Sequence, residues 1–157
     1  MIFGPSDRPL CTKSLSKGAN LAVGKRAKVS SECYKKNPTN KDYLTDGDNR
    51  RNGHGDRNYW HSCRDNRPNA EIQFKEQCVR GVKIWSRADC CSHQMKGVAA
   101  EVWTGAKWER CGGTSTDVGR KNSFSFDCAI VGSKARIIKY ANNAWITTSE
   151  MEVFGAK

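Results

Sequence analysis

Short runs of alternating polar and apolar residues occupy the chain from residue 71 onward. Such alternation is typical of half-buried β-strands, whose successive side chains point to opposite faces of a sheet. It predicts strands at Glu71–Lys75, Val82–Ser86, Ala100–Trp103, Lys107–Glu109, Ser123–Phe126, Ala135–Tyr140 and Met151–Phe154. No segment sustains a helical period, and glycine-containing turns separate the runs. The sequence therefore predicts an all-β fold, either a sandwich or a barrel.

The N-terminal part of the chain has a different pattern. Residues 1–18 are rich in Ser, Lys, Gly and Pro and are predicted to be an irregular lead-in to one domain at residues 19–157. Residues 35–69 contain almost no aliphatic side chain beyond Leu44, which predicts a long loop. We expect Tyr59 and Trp60 to anchor this loop in the core. A chain of 157 residues is long enough to bury a core of its own.

The cysteines indicate the compartment. There are eight of them, with no Cys-x-x-Cys pair, and this favours disulfides over zinc ligation. Because disulfides persist in oxidising compartments, we predict a secreted protein. No apolar run is long enough to span a membrane.

The charge balance indicates what the surface attracts. Lys and Arg number 27 against 16 Asp and Glu, a formal net charge of +11 that attracts polyanions. Outside a cell these are sulfated or sialylated glycans, acidic mucins or mineral rather than nucleic acid. A solvated basic surface explains the charge equally well. The predicted loop carries arginines interleaved with aromatic residues, at Arg50, Arg51, Arg57, Arg64 and Arg67.

Sequence patterns of enzymes are absent. There is no His-Glu-x-x-His, no phosphate-binding glycine loop and no Gly-x-Ser-x-Gly, and the chain has three histidines, His54, His61 and His93. We predict that the protein is not an enzyme.

The adjacent pair Cys90-Cys91 suggests a binding site. Each of these cysteines can pair elsewhere in the chain, or the two can form a strained bridge with each other. Arg87 and Asp89 precede them. Arg offers a planar fork of donors, and a neighbouring carboxylate can orient it. A vicinal disulfide beside this pair would present a flat sulfur surface to the apolar face of a sugar.

These motifs resemble a known family. Asn20–Lys25 followed by Ser30-Ser31 resembles the opening of discoidin-like domains. Four later segments resemble the fucolectins (F-type lectins): Asp46-Gly47-Asp48, Ser62-Cys63, Arg87–Cys91 and Glu150–Gly155. The resemblance covers residues 19–155. It implies a galactose-binding-domain-like β-sandwich jelly roll, a structural calcium ion, and a shallow fucose site in the loops at one end.

The resemblance carries over part of the sugar site. Arg87 and Asp89 match the family's Arg-x-Asp, and Cys90-Cys91 match its vicinal disulfide. The family's later basic residue falls on Gln94, with Lys96 two residues on. Its histidine falls on Asp65, while His61 precedes Ser62-Cys63. Because Gln94 and Asp65 still form hydrogen bonds with hydroxyls, we expect an altered glycan specificity, for fucosylated or for acidic and sulfated glycans.

The resemblance also implies a calcium site and disulfides. Asp46 and Glu150 would supply carboxylates and Ser62 a hydroxyl, with backbone oxygens from Tyr43, Asp48 and Ser149. Cys111 and Cys128 match a strand-linking pair. The family's partner of Cys63 is replaced by Ser149, which leaves three possible pairings among Cys11, Cys33, Cys63 and Cys78.

Two functions follow. The first is a secreted, calcium-dependent lectin without catalysis. The second is a structural or adhesive matrix protein that binds acidic polymers through its basic surface. Nucleic acid is not an expected partner of either, and the sequence leaves open whether the chain forms a homo-oligomer.

Overall fold

The computed structural model describes residues 10–33, 40–47, 59–86, 91–116 and 123–157. Within these ranges the chain is built of nine strands and two short 3₁₀ helices, at Asn40–Thr45 and Ser92–Met95. The strands are β1 (Lys17–Asn20), β2 (Lys28–Val29), β3 (Trp60–His61), β4 (Asn69–Trp85), β5 (Val98–Trp103), β6 (Trp108–Thr114), β7 (Ser123–Lys139), β8 (Thr147–Thr148) and β9 (Glu150–Ala156). The predicted all-β class is confirmed. No helix in the described part of the chain is long and apolar enough to cross a membrane.

Two long strands organise the sheet. Its strand order is β1-β9-β4-β7-β5-β6, with β2 on the edge of β4, while β3 and β8 pair separately. All of these pairings are antiparallel. β4 and β7 each contain 17 residues. The first part of β4 and the last part of β7 pair with β2 and β5, whereas β9 pairs with the second part of β4. The two long strands therefore run through both layers of the sandwich.

Bulges bend these strands from one layer into the other. The register between β4 and β7 shifts between Gln73 and Gln77, and again between Val79 and Gly81. An extra residue in one strand bends it and increases its twist. Gly132 of β7 lies at the first shift, where a Cβ atom would clash with the carbonyl oxygen of Trp103. Only glycine permits this close approach of the two backbones.

The core lies between the two layers. Ile72 and Ile137 from one layer and Val82 and Ile84 from the other belong to one buried cluster. Each such side chain contributes about 1.5–3 kcal/mol on leaving water. Trp60 is fully buried, and its indole N–H donates to the carbonyl of Ser31 at 2.9 Å. The predicted anchoring of the loop by Tyr59 and Trp60 is confirmed, since both are buried.

Some predicted boundaries differ from the structure. The runs Glu71–Lys75 and Val82–Ser86 belong to the single strand β4, which ends one residue earlier, at Trp85. Likewise Ser123–Phe126 and Ala135–Tyr140 belong to β7, which ends at Lys139. The alternation breaks at the bulges because an extra residue reverses which face the next side chain occupies. The predicted lead-in, residues 1–18, overlaps β1, which begins at Lys17.

Disulfides join distant segments of the sandwich. The predicted bridge between Cys111 and Cys128 is confirmed. Of the three pairings that the sequence left open, the structure contains Cys11–Cys78 together with Cys33–Cys63. Cys91 is also disulfide-bonded. Cys90 lies outside the described residues, so the structure does not describe the predicted bridge between the two.

Candidate ligand-binding site

The pairing of β3 with β8 organises one end of the sandwich. Trp60 lies opposite Thr148, and His61 lies opposite Thr147. The ladder extends beyond the strands, because the N–H of Ser62 donates to the carbonyl of Ile146 and the N–H of Ile146 donates to Ser62 Oγ, both at 2.9 Å. These bonds hold two loop segments side by side at a fixed register.

His61 is fixed in this ladder. It is 7% exposed, and its Nδ1 lies 2.6 Å from the carbonyl oxygen of Ser62. Since a carbonyl oxygen only accepts, Nδ1 is the nitrogen that carries the proton. The imidazole meets the ring of half-buried Trp145 edge to face, with centroids 5.1 Å apart and an interplanar angle of 89°.

Gln94 joins the same cluster from the second 3₁₀ helix. Its backbone N–H donates to the carbonyl of Cys91 at 3.0 Å, and its side-chain oxygen accepts the hydroxyl of Thr147 at 3.0 Å. Because Thr147 lies opposite His61, both His61 and Gln94 are neighbours of one threonine. The structure thus brings together two residues that the sequence predicted for the sugar site, beside the predicted Cys91.

Lys139 bonds to two members of this cluster. Its ammonium donates to the carbonyl of Gln94 at 2.8 Å and to the carbonyl of Trp145 at 2.9 Å. Burial lowers the pKa of Lys139 below its usual value. Sequence reasoning missed Lys139, Trp145 and Thr147. The one available signal was a tryptophan in the polar segment after Asn142 and Asn143.

Two other predicted sugar residues have different surroundings. Oδ2 of Asp65 accepts the hydroxyl of Ser30 at 2.9 Å and also the hydroxyl of Ser31. These bonds join the Ser30-Ser31 turn to the segment after β3. Lys96 is exposed, directly after the second 3₁₀ helix. Arg87, Asp89 and Cys90 lie outside the described residues.

Glu150 forms the centre of the candidate calcium site. It is fully buried at the start of β9, and its Oε2 accepts the N–H of Gly47 at 2.9 Å. Its Oε1 is also buried, with no hydrogen-bond partner in the described part of the chain. Gly47 has a φ of 82°, a conformation that glycine adopts without strain.

The carboxyl of Glu150 lies in surroundings that disfavour its charged form. Burial, a hydrogen bond with Asp46 and repulsion from that carboxylate together raise the pKa of its carboxyl to about 10. Two converging carboxyls, one with a buried unpartnered oxygen, fit a hard divalent cation that prefers oxygen ligands. No three Asp, Glu, His or Cys side chains converge here or anywhere else in the described ranges. The remaining ligands would therefore be backbone and hydroxyl oxygens.

Of the other predicted calcium ligands, Ser62 lies beside Ile146, four residues before Glu150 in the chain. Tyr43 is half-buried in the first 3₁₀ helix, three residues before Asp46. Ser62 already uses both of its oxygens, as acceptors from Ile146 N–H and from His61 Nδ1. Asp48 lies outside the described residues.

Ser149 stands where the resemblance places a cysteine. Its N–H and its hydroxyl donate to the carbonyl of Trp85 at 2.8 and 3.2 Å, and the hydroxyl also lies 3.2 Å from the carbonyl of Ser86. Cys63 pairs with Cys33 instead. Hydrogen bonds to the end of β4 thus hold Ser149 without a disulfide.

The amino-acid sequence matches the model of a known protein family. The model of the NedA-like, galactose-binding domain, of F5/F8 type C, matches residues 43–138, more than half of the chain. The protein belongs to this family. No curated protein matches the sequence of this galactose-binding-like domain.

Solved structures share its fold. The lectin domain of lectinolysin complexed with Lewis B antigen has a TM-score of 0.76 and 19% identity, covering 90% of this chain and 100% of that one. A fucose-binding module from Streptococcus pneumoniae has a TM-score of 0.70 and 22% identity, covering 88% and 99%. A fucolectin from the serum of striped bass, Morone saxatilis, has a TM-score of 0.76 and 19% identity, covering 89% and 49%. The predicted jelly roll of discoidin-like type is confirmed.

Proposed function

We propose that the protein is a secreted, calcium-dependent lectin of fucolectin type with an altered glycan specificity, which binds without catalysis. The observation that carries this proposal is the cluster of His61, Gln94, Trp145 and Thr147 at one end of the sandwich. Family membership supports it, as do structural neighbours named as fucose-binding and lectin modules. The three described disulfides support an oxidising, extracellular location.

A sugar would use two kinds of contact in this cluster. The half-buried ring of Trp145 offers an apolar surface to a sugar face. The amide nitrogen of Gln94 carries two N–H donors suited to hydroxyl groups. From the resemblance, Arg87 and Asp89 would add directed hydrogen bonds, and Cys90 with Cys91 an apolar plate. A neutral amide at a position that is basic in the family is the reason to expect a different preferred glycan.

Calcium would support the loops of this site. Asp46 and Glu150 would bind it through carboxylates, and Tyr43, Asp48 and Ser149 through backbone oxygens. The support for this assignment is the buried, unpartnered Oε1 of Glu150. A bound cation supplies positive charge to two carboxyls, and thereby joins the segment after the first 3₁₀ helix to β9.

A glycan array read with calcium and with EDTA tests the proposal. We expect binding to a small set of fucosylated, acidic or sulfated glycans that weakens in EDTA. Gln94→Ala should lower the affinity for the best glycan by about threefold to tenfold, the value of one hydrogen bond. His93→Ala is the matched control, since His93 is an exposed neighbour on the same 3₁₀ helix, and it should leave binding unchanged. Absence of binding to every glycan at high protein concentration contradicts the proposal.

A further inference from the structure

The layer formed by β2, β4, β7, β5 and β6 carries a row of charges across its outer face. Strand register sets Lys28 opposite Glu71, Glu71 opposite Arg136, Arg136 opposite Glu101, and Glu101 opposite Arg110. Residues directly opposite each other share a face of the sheet. The row therefore alternates positive and negative charge over five strands, and it begins and ends with a cation.

Glu101, near one end of the row, is saturated by its neighbours. It is 6% exposed and accepts Nε of Arg136 at 2.8 Å and the hydroxyl of Tyr140 at 2.6 Å, while Nε of Arg110 lies 3.8 Å away. Burial and the hydrogen bond to Glu101 raise the pKa of Tyr140, which keeps its hydroxyl protonated. The side chain of Arg110 is 42% exposed and remains accessible to a ligand.

Aromatic rings position the guanidinium groups on this face. The guanidinium carbon of Arg136 lies 4.1 Å from the centre of the Trp108 ring. The guanidinium carbons of Arg67 and Arg110 lie 5.5 and 5.8 Å from the centre of the Tyr140 ring, and Tyr140 is 47% exposed. Stacked guanidiniums keep their edges, which carry the N–H donors, directed away from the ring.

A hollow continues the same face beyond Arg136. It has a volume of about 180 Å³ and is lined by Arg26, Lys28 and Lys134, together with Glu71 and Gln73. Lys134 lies opposite Trp103 of β5, so the hollow adjoins the aromatic residues. The outer sheet face is defined here by six cations and two carboxylates: Arg26, Lys28, Arg67, Arg110, Lys134 and Arg136, with Glu71 and Glu101.

We propose that the outer sheet face binds a linear acidic polysaccharide, whose sulfate or carboxylate groups contact the exposed cations at its two ends. Arg67 and Arg110 form one end of this face, and the hollow forms the other. Guanidinium edges bind planar or tetrahedral oxyanions in a bidentate manner. Two separate groups of cations, joined across a flat sheet, suit an extended polymer rather than a single sugar. This binding needs neither calcium nor the cluster of His61, Gln94, Trp145 and Thr147 at the end of the sandwich, which we call the loop end.

The rings argue against single-stranded nucleic acid as the occupant. Such a ligand needs aromatic faces on which successive bases stack. Here Arg136 covers Trp108, and Arg67 and Arg110 lie over Tyr140. Guanidinium groups thus lie against the Trp108 and Tyr140 rings, where bases would otherwise stack, and present donors for anionic groups.

Binding of dextran sulfate in EDTA, with neutral dextran as the backbone control, tests the proposal apart from the lectin function. We expect dextran sulfate to bind at about 0.1 M NaCl and to weaken about tenfold at about 0.5 M, because salt screens exposed charges. Neutral dextran should not bind. Polygalacturonate separates the two oxyanions: its binding includes carboxylates in the recognised chemistry, and its failure to bind restricts that chemistry to sulfates.

Two charge-matched double variants locate the surface. The double variant Arg67→Gln, Arg110→Gln should weaken dextran sulfate binding about tenfold. The double variant Lys28→Gln, Lys134→Gln, at the other end of the face, should weaken it by a similar factor. The control is Lys13→Gln with Lys157→Gln, which removes the same charge from exposed residues outside this face. It should change the affinity for dextran sulfate less than about twofold. Melting temperatures show that each variant is folded.

Three results would overturn the proposal. The first is no binding of either acidic polymer at low salt. The second is an equal loss in the Lys13 and Lys157 control, which would make the attraction a property of net charge alone. The third is binding of oligodeoxythymidine as tight as that of dextran sulfate.

Discussion

The loop end, with its candidate calcium and sugar sites, and the outer sheet face both carry charged side chains. They differ in how those charges are paired. On the sheet face, strand register sets each carboxylate beside a cation, as with Glu101 between Arg136 and Arg110. At the loop end, Glu150 is buried beside another carboxyl, and one of its oxygens has no partner among the described residues. The sheet face pairs its carboxylates without an added ion, whereas at the loop end we propose that calcium supplies the missing charge. The first should therefore respond to ionic strength, and the second to calcium and pH.

Calcium removal should have the largest effect, and only on the loop end. An ion that binds only the folded state stabilises it by about 2.7 kcal/mol at a hundredfold excess over Kd, which is about 5–10 °C in melting temperature. We expect EDTA to lower the melting temperature by that amount without changing far-UV circular dichroism at room temperature. Glu150→Gln should abolish the response to EDTA, while Glu152→Gln, two residues along β9, should retain it. A wild-type melting temperature that EDTA does not change contradicts the calcium assignment.

The dependence of stability on pH should also come from the loop end, through Glu150. In EDTA the pKa of Glu150 is raised from 4.5 to about 10, so the folded protein binds a proton that the unfolded chain has lost. This contribution to stability is complete below the unfolded pKa and disappears as the pH rises toward 10, with a slope of at most about 1.4 kcal/mol per pH unit. Melting temperatures in EDTA should fall from pH 5 to pH 9.

Two controls sharpen this pH profile. Glu150→Gln should flatten it, because the amide does not titrate. Arg67→Gln with Arg110→Gln should leave it unchanged, because these arginines lie on the outer sheet face. A wild-type profile as flat as that of Glu150→Gln would show that the carboxyl does not titrate in this range.

Lys139→Met tests the internal tie at the loop end. The substitution keeps a long apolar side chain but removes the bonds to the carbonyls of Gln94 and Trp145. We expect a loss of about 1–3 kcal/mol in the free energy of unfolding and weaker glycan binding. Lys96→Met changes an exposed lysine nearby and should affect neither, as judged by chemical denaturation. Unchanged glycan affinity in Lys139→Met would separate this lysine from the site.

The smallest effect belongs to the sheet face. Tyr140→Phe removes one hydroxyl that donates to Glu101 and should cost about 1 kcal/mol, because Arg136 still satisfies that carboxylate. Thermal denaturation with and without calcium measures it, and the shift should be the same in both. A calcium-dependent shift would mean that the two regions are coupled.

The strands were predictable from the sequence because their side chains alternate, as in the run around Ile72. The continuity of β4 was not, since its bulges place residues such as Gln77 out of the period that identifies a strand. At the site, the resemblance identified Glu150 and Gln94 through motifs. It could not identify Lys139 or Trp145, whose contacts depend on how separate loops pack. The pairing of Cys33 with Cys63 was likewise open, because it depends on which loops meet in the folded domain.

The bridge between Cys11 and Cys78 has a consequence for proteolysis. It encloses the whole N-terminal part of the fold, including the segment that contains Asp46 and the second bridge, from Cys33 to Cys63. A single cut by a protease anywhere between Cys11 and Cys78 therefore leaves both fragments covalently joined. On a gel such nicked protein runs as one band until a reducing agent is added. A domain of this kind can be cleaved once between these two cysteines and still remain one covalent molecule.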